Sequence, residues 1–371
     1  MNRTNGGVNL PALRSHNTAL VLDLLRGAGA GGISRLELAD RTGLTPQAVS
    51  KITARLREEG LAAEAGHRAS TGGKRRTVLR LVPGAGHAVG VHLDRDALRT
   101  VLVDLAGTVV RERRAELDLG AGAEAVVAAV AGEAEVLVAG VREGGGEGQG
   151  DAGTLLALLG VGVALPGPLD HTRGVLHRVT GFPEWDGFPL RDALARRLGV
   201  PVAVDKDTNA AALGLAVAGE RGSFAYLHLG TGLGAGLVIG GAVHRGVRTG
   251  AGEFGHQVVQ LDGPPCGCGD RGCVEALCLA AVARGDLTEA ARVLGIAAGN
   301  LVALLDIDLV LLGGRTVTAA PDAFLRGVEA VLAERARRTG EGPVPVRAAA
   351  DEVAEGAAQL VLAPLFGRAD A

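Results

Sequence analysis

The segment 256–275, HQVVQLDGPPCGCGDRGCVE, gathers the residues best suited to hold a metal. Cys266, Cys268 and Cys273 fall within eight residues, and His256 lies ten positions before the first of them. Three thiols and an imidazole can complete a tetrahedral shell around one zinc ion. Gly267, Gly269 and Gly272 alternate with the cysteines and let the backbone fold tightly enough to turn each sulfur inward. The Cys-x-Cys-x4-Cys spacing is not that of a ribbon or finger, so the density of ligands and the glycines carry the assignment. Cys278, the fourth cysteine of the chain, is an alternative ligand to His256. The expectation is one structural zinc per chain, held by reduced thiols as in the cytosol.

The elements around this loop are built from small apolar residues: the 371-residue chain is 47% hydrophobic but 2% aromatic, with 59 glycines. Its length suits two or three domains. Its net charge of −3 hides an asymmetry. Residues 1–83 carry 13 Lys and Arg against 6 Asp and Glu, a balance of +7, and residues 84–371 carry −10. A basic head on an acidic body points to a polyanionic partner for the head. The longest apolar run, at 153–167, is too short to span a bilayer, and residues 1–17 have no apolar signal core. A soluble, cytoplasmic protein with no membrane partner is expected.

In the head, Leu20, Leu24 and Leu25 give a first helix an apolar face, and Ser34-Arg35-Leu36-Glu37 is a capping box that opens a second helix ended by Gly43. Thr45 and Pro46 open a third. There Val49, Ile52 and Leu56 recur at spacing three and four and face inward, so Gln47, Ser50, Lys51 and Arg55 face outward, where base edges would be read. Past Gly60, two extended runs flank a Gly-Gly turn carrying Lys74, Arg75 and Arg76. This is a β-wing whose tip suits phosphate contact, and with the three helices it spells a winged helix-turn-helix. GGKRRT is not a nucleotide loop, because the spacing and the following helix are missing.

The body, 84–371, alternates apolar strands with Ala/Leu helices, an α/β pattern. Two strands joined by a turn are expected over 87–110, an Ala-rich helix over 120–140, a surface loop over 142–153 and a buried strand over 155–170. A helix over 190–198 precedes a strand, a polar loop and a helix over 200–219. Two strands follow around a Gly-rich turn over 224–246, then a helix over 294–305 and a strand over 307–314. GTGLGAG is a hairpin turn, since the chain after it continues as a strand, not the helix of a dinucleotide site.

These residues resemble the ROK family of repressors and sugar kinases, and in particular its transcriptional regulators. The resemblance covers nearly the whole chain and is most specific at AGEFGH (251–256) with CGCGDRGCVE (266–275). LPGPLD (165–170), DTNAAALG (207–214), LGTGLGAGLV (229–238) and LLGG (311–314) support it, as does the winged head with GGKRR. It implies an actin-like, two-lobed architecture (sugar kinase/ribonuclease H-like) behind the winged head, with a sugar in the cleft between lobes. Glu253, His256 and Glu275 would line the sugar pocket, and Asp207 would stand where the kinases hold their base. Carboxylates suit vicinal hydroxyls, and His256 could serve metal and sugar with its two ring nitrogens.

Three departures bear on function. The kinases' Asp-x-Gly-Gly-Thr-Lys phosphate loop is replaced by His92-Leu93-Asp94-Arg95-Asp96-Ala97, which lacks both glycines and adds carboxylates that repel a phosphate. Lys206 stands where the family usually has a sugar-contacting Asn; it opens a choice between a phosphorylated or acidic sugar and a salt bridge to Asp205 or Asp207. The chain is also short between Cys278 and Leu294, a change to the pocket rim or subunit contact. The resulting expectation is a non-enzymatic, sugar-responsive repressor of carbohydrate-metabolism genes. It would bind a double-stranded operator as a homodimer or homotetramer and respond to a sugar or sugar phosphate. The alternative is an ATP-dependent hexose kinase with a DNA-binding head.

Overall fold

The computed structural model describes residues 16–68, 76–143, 157–177, 182–350 and 352–368. Helix α1 (His16–Ala28) buries Val21, Leu22 and Leu25. A short strand β1 (Ile33–Ser34) enters α2 (Arg35–Thr42) through the expected capping box: Ser34 Oγ accepts the Glu37 amide at 3.3 Å, and Glu37 Oε2 accepts the Ser34 amide at 2.8 Å. Gly43, with φ of 70°, ends α2 in the left-handed region that favours glycine. Thr45 caps α3 (Pro46–Glu58), in which Val49 and Leu56 are buried, and Thr53 with them. Strands β2 (Ala62–Arg68) and β3 (Arg76–Leu81) complete a three-stranded sheet of order β1-β3-β2, the wing.

The body holds two five-stranded sheets of identical order. The first comprises β4 (His87–Leu93), β5 (Ala97–Asp104), β6 (Val109–Glu116), β7 (Leu158–Leu165) and, after the short pair β8 (Leu169–Asp170) and β9 (Val175–Leu176), β10 (Val202–Lys206). Strands β4 to β6 form an antiparallel meander, β7 adds parallel to β4, and β10 adds parallel to β7. The third strand of the meander, β6, escapes the sequence reading: seven of its eight residues are exposed and its RERR run is charged, which suits an unpaired edge. Helices α4 (Ala123–Glu143) and α5 (Leu190–Leu198) cover this sheet.

No polar loop follows β10. Helix α6 (Asp207–Ala218) starts at the next residue, and Asp205 makes the junction by accepting the Lys206 amide at 2.7 Å and Asn209 Nδ2 at 2.9 Å. The second sheet repeats the plan: β11 (Phe224–Leu229), β12 (Leu233–Ile239) and β13 (Ala242–Val243) form the meander. Helices α7 (Val274–Ala283) and α8 (Leu287–Leu305) follow, before β14 (Leu309–Gly313) adds parallel to β11. Beyond α9 (Arg315–Ala319) and α10 (Pro321–Thr339), β15 (Val346–Ala348) adds parallel to β14.

Helix α8 begins seven residues before the expected start because Asp286 caps it, accepting the Glu289 amide at 3.0 Å. Among the described residues, Leu287–Leu305 is the single helix long and apolar enough to cross a bilayer, and it is packed into the second-lobe core between α7 and α10.

The last helix, α11 (Val353–Leu362), returns to the first lobe. It lies on β4 and β7 so closely that a Cβ on Gly90 would overlap the Ala354 carbonyl oxygen, and one on Gly162 that of Ala357. Its other side meets α6, where Gly356 faces the Ala210 carbonyl oxygen. Beyond α11, Leu365 and Phe366 enter one core cluster with Val21, Leu22 and Leu25 of α1 and with Val101 and Val103 of β5. Arg368 pairs with Asp23 at 2.9 and 3.1 Å, and Arg26 stacks on the Phe366 ring at 4.5 Å. The head and body therefore share apolar core, with the turn Pro83–Ala85 as their covalent link. Gly162→Val should cost about 3 kcal/mol by overpacking; an unchanged urea midpoint would show that α11 can retreat from the sheet.

Candidate functional site

Between the lobes opens a cleft of about 580 Å³. The strand end and helix start at 206–208, the β4–β5 turn, the loop after β7, the β11–β12 turn and the loop 252–256 all contribute to its walls. All five residues expected to meet a sugar reach it: Lys206, Asp207, Glu253, His256 and Glu275. Asp207 stands at the first turn of α6, where the helix dipole favours its negative charge, and accepts the Thr208 amide at 2.6 Å. Glu275 holds the corresponding place on α7 and accepts the Leu233 amide at 2.8 Å, which fixes the β11–β12 turn over the cleft.

Lys206 is 3% exposed and its partner is neither Asp205 nor Asp207. Its Nζ lies 3.1 Å from Glu253 Oε1 and also donates to the Ala251 carbonyl. Asp205 is taken instead by Arg245, whose Nε lies 2.6 Å from Asp205 Oδ2, with both side chains buried. Consecutive residues of β10 thus grip the loop that follows β13. This second pair, 40 residues apart in sequence, was not foreseeable: an acid and a base that far apart carry no periodic signal.

In the β4–β5 turn, Asp96 reaches across to the second lobe, where Arg315 Nη1 lies 3.0 Å from its Oδ2. Arg95 stands over the Phe182 ring at 5.5 Å, and Asp94 accepts the Arg95 amide at 2.8 Å. The extra carboxylates of this turn therefore engage the protein's own cations and amides as well as changing the charge of the cleft.

Next to the cleft, one ligand atom from each of His256, Cys266, Cys268 and Cys273 lies within 4.8 Å of the others. Cys268 Sγ and Cys273 Sγ are 3.7 Å apart, and Cys266 Sγ is 3.7 Å from His256 Nδ1. A tetrahedron with thiolate–metal bonds of about 2.3 Å has edges of about 3.8 Å, so the group fits a four-coordinate ion. Burial, and then the neighbouring Cys268 and Cys266, pushes the Cys273 thiol up to about 12. Thiols this close cannot all ionise without a cation among them. Gly272, with φ of 69°, passes so near the Gln260 carbonyl that a side chain there would collide with it. Cys278 takes no part in the cluster: it sits in the second-lobe core, its Sγ 3.5 Å from the Ala290 carbonyl, and burial pushes its thiol up to about 12.

In the head, Gln47, Ser50 and Lys51 lie exposed on α3. Arg55 is turned back to α1, donating to Thr18 Oγ1 at 2.6 Å, and braces the two helices. Arg76 is exposed at the start of β3; Lys74 and Arg75 lie outside the described residues.

A winged helix-turn-helix fused to a two-lobed cleft domain, with a His/Cys cluster that could hold a metal, defines a DNA-binding regulator class with a small-molecule cleft. Residues 149–283 match the family model "ROK family", and residues 20–62 match "Winged helix-turn-helix DNA-binding". The xylose repressor of Caldicellulosiruptor bescii is 30% identical over 246 residues, 66% of this chain and 59% of its own length. The crystal structure of a ROK hexokinase from Thermus thermophilus is 30% identical, covering 74% of this chain and 97% of its own, with a TM-score of 0.58. A ROK transcriptional regulator described as a homologue of the Escherichia coli MLC protein superposes over 94% of this chain and 96% of its own, with a TM-score of 0.75 at 21% identity, and so shares the whole fold, head included. The chain belongs to the ROK family.

With a chelator present, a thiol reagent at about pH 8 should label the exposed Cys268 first in the native protein, with the buried Cys273 slow, while Cys278 stays protected until unfolding, because the thiolate is the reactive form and burial disfavours it. Peptide mapping that finds Cys278 labelled in the native state would contradict its place in the core.

Proposed function

We propose that this protein is a sugar-responsive transcriptional repressor of carbohydrate-metabolism genes, acting in the cytoplasm as a homodimer or homotetramer on double-stranded operator DNA. The observation that carries this reading is the shared core through which α11, packed on β4, β7 and the cleft-lining helix α6, meets α1 of the DNA-binding head. The names of relatives such as the xylose repressor support it. In this reading Gln47, Ser50 and Lys51 meet base edges, while Arg76, with Lys74 and Arg75, meets phosphates. Asp207, Glu253, His256 and Glu275 accept or donate hydrogen bonds to sugar hydroxyls.

The metal is proposed to be one structural zinc, held by His256, Cys266, Cys268 and Cys273. When bound it supplies no bond-breaking chemistry and fixes the loop that joins His256 to Glu275. The chain's own side chains then orient the sugar.

A second reading, a hexose kinase carrying a DNA-binding head, is favoured by Asp207 at the cleft, where a carboxylate could take a hydroxyl proton. The Asp94-Arg95-Asp96 turn argues against it, since Asp96 is held by Arg315 and the turn has no glycine to bring backbone amides onto a phosphate.

Duplexes selected from a random pool provide the test. Lys51→Ala should relax sequence preference, and Arg76→Ala should weaken all duplexes and lower the salt slope by about 1. No sugar phosphorylation from ATP is expected in the same preparation. Measurable turnover would revive the kinase reading, and a preparation that selects no duplex would end the repressor reading.

A further inference from the structure

We infer that the cleft takes an uncharged sugar ring in preference to a phosphorylated or acidic one, and that Lys206, spent as the fixed counter-ion of Glu253, offers an anion no partner and keeps the cleft from favouring a cationic sugar. The inference rests on the effector reading above and narrows it to a ligand class. A lysine in a sugar cleft suggests, on composition alone, a site for an anion. The geometry removes that role. The Lys206 side chain is 4% exposed whereas that of Glu253 is 42% exposed, so a ligand entering the cleft meets the carboxylate before the ammonium.

The ammonium is spent on Glu253 Oε1 and the Ala251 carbonyl, and its stem runs beside two glycines. A Cβ on Gly167 would stand 2.6 Å from Lys206 Cδ, and one on Gly252 would stand 3.5 Å from Nζ. A buried ammonium that left these partners would lose its compensation, so it stays where it is.

The rest of the wall is acidic. Asp94, Asp186, Asp207, Glu253 and Glu275 face Arg95 and Lys206, five carboxylates against two cations among the described lining residues. With Lys206 paired, Arg95 is the other cation, and it is held over Phe182 with Asp94 and Asp96 on either side of it in the chain. An added phosphate or carboxylate therefore enters a negative field, whereas neutral hydroxyls find acceptors. Lys206 offsets one of those acceptors and so keeps the cleft from selecting cationic sugars outright.

Titration calorimetry of the full-length protein with D-glucose, D-xylose, D-glucosamine, D-glucuronate and D-glucose 6-phosphate tests this. Glucose or xylose should bind at least about tenfold more tightly than glucuronate and glucose 6-phosphate, the effect of one unscreened like charge. Lys206→Met keeps a straight stem and removes the charge. It should shift the glucosamine-to-glucose affinity ratio by about tenfold toward glucosamine, because Glu253 loses its counter-ion. Lys206→Arg should restore the ratio.

Tightest binding by glucose 6-phosphate or glucuronate, lost on Lys206→Met or Arg95→Ala, overturns the inference. An unchanged glucosamine-to-glucose ratio in Lys206→Met overturns the counter-ion role. If Lys206→Met does not fold, the intact protein's ranking of the five sugars still decides between ligand classes. No binding by any of the five overturns the effector reading itself, and this inference with it.

Discussion

Two consecutive charged residues at the end of β10 hold the cleft together. Asp205 and Lys206 are 1% and 3% exposed and belong to the first lobe, yet each pairs with the 245–253 loop of the second, Asp205 with Arg245 and Lys206 with Glu253. Desolvating such charges is costly, and removing either member of the buried Asp205–Arg245 pair leaves the other uncompensated, a loss of about 3–5 kcal/mol. The lobes are thus free to differ in their outer walls but not at this junction. The same junction starts α6, so whatever displaces the grip of residues 205–206 also bears on the first turn of that helix, where Asp207 faces the cleft.

From α6 the contacts continue to the head. Gly356 brings α11 against α6, Gly90 and Gly162 bring it against the first sheet, and Phe366 beyond it carries the stack under Arg26 of α1. Interiors packed this closely deform little and tend to shift as units. In the proposed function, a sugar that draws Glu253 and Glu275 toward Asp207 would bias the orientation of the head with no flexible linker to absorb the change. With the proposed metal bound, the cluster of His256 and the three cysteines would serve the same end by fixing the distance between His256 and the start of α7, where Glu275 stands.

The parts written in local chemistry were legible in the sequence. The Ser34–Glu37 capping box, the Thr45-Pro46 helix start and the β11–β12 hairpin depend on residues close in sequence, the His256–Cys273 cluster on residues within one short loop segment, and the structure brings each set together. What was lost was either non-local or lacked a hydrophobic pattern. Strand β6 has almost no buried face, so alternation could not mark it, and the start of α8 depends on the cap at Asp286 and not on its apolar residues. Lys206 is the instructive case. Sequence offered Asp205 and Asp207 as partners because they adjoin it; the backbone turns both away and brings Glu253, 47 positions on, to its ammonium.

If the cleft and the head form one coupled device, their binding equilibria must be reciprocal: the factor by which a sugar changes operator affinity equals the factor by which operator changes sugar affinity. The most direct measurement is the dissociation constant of an uncharged aldose for the free protein and for the operator-bound protein, set beside the operator affinity with and without that sugar. The account predicts two equal ratios that differ from one by about five- to a hundredfold. Identical sugar affinities in the free and the DNA-bound protein would mean that cleft and head act independently, and would contradict it.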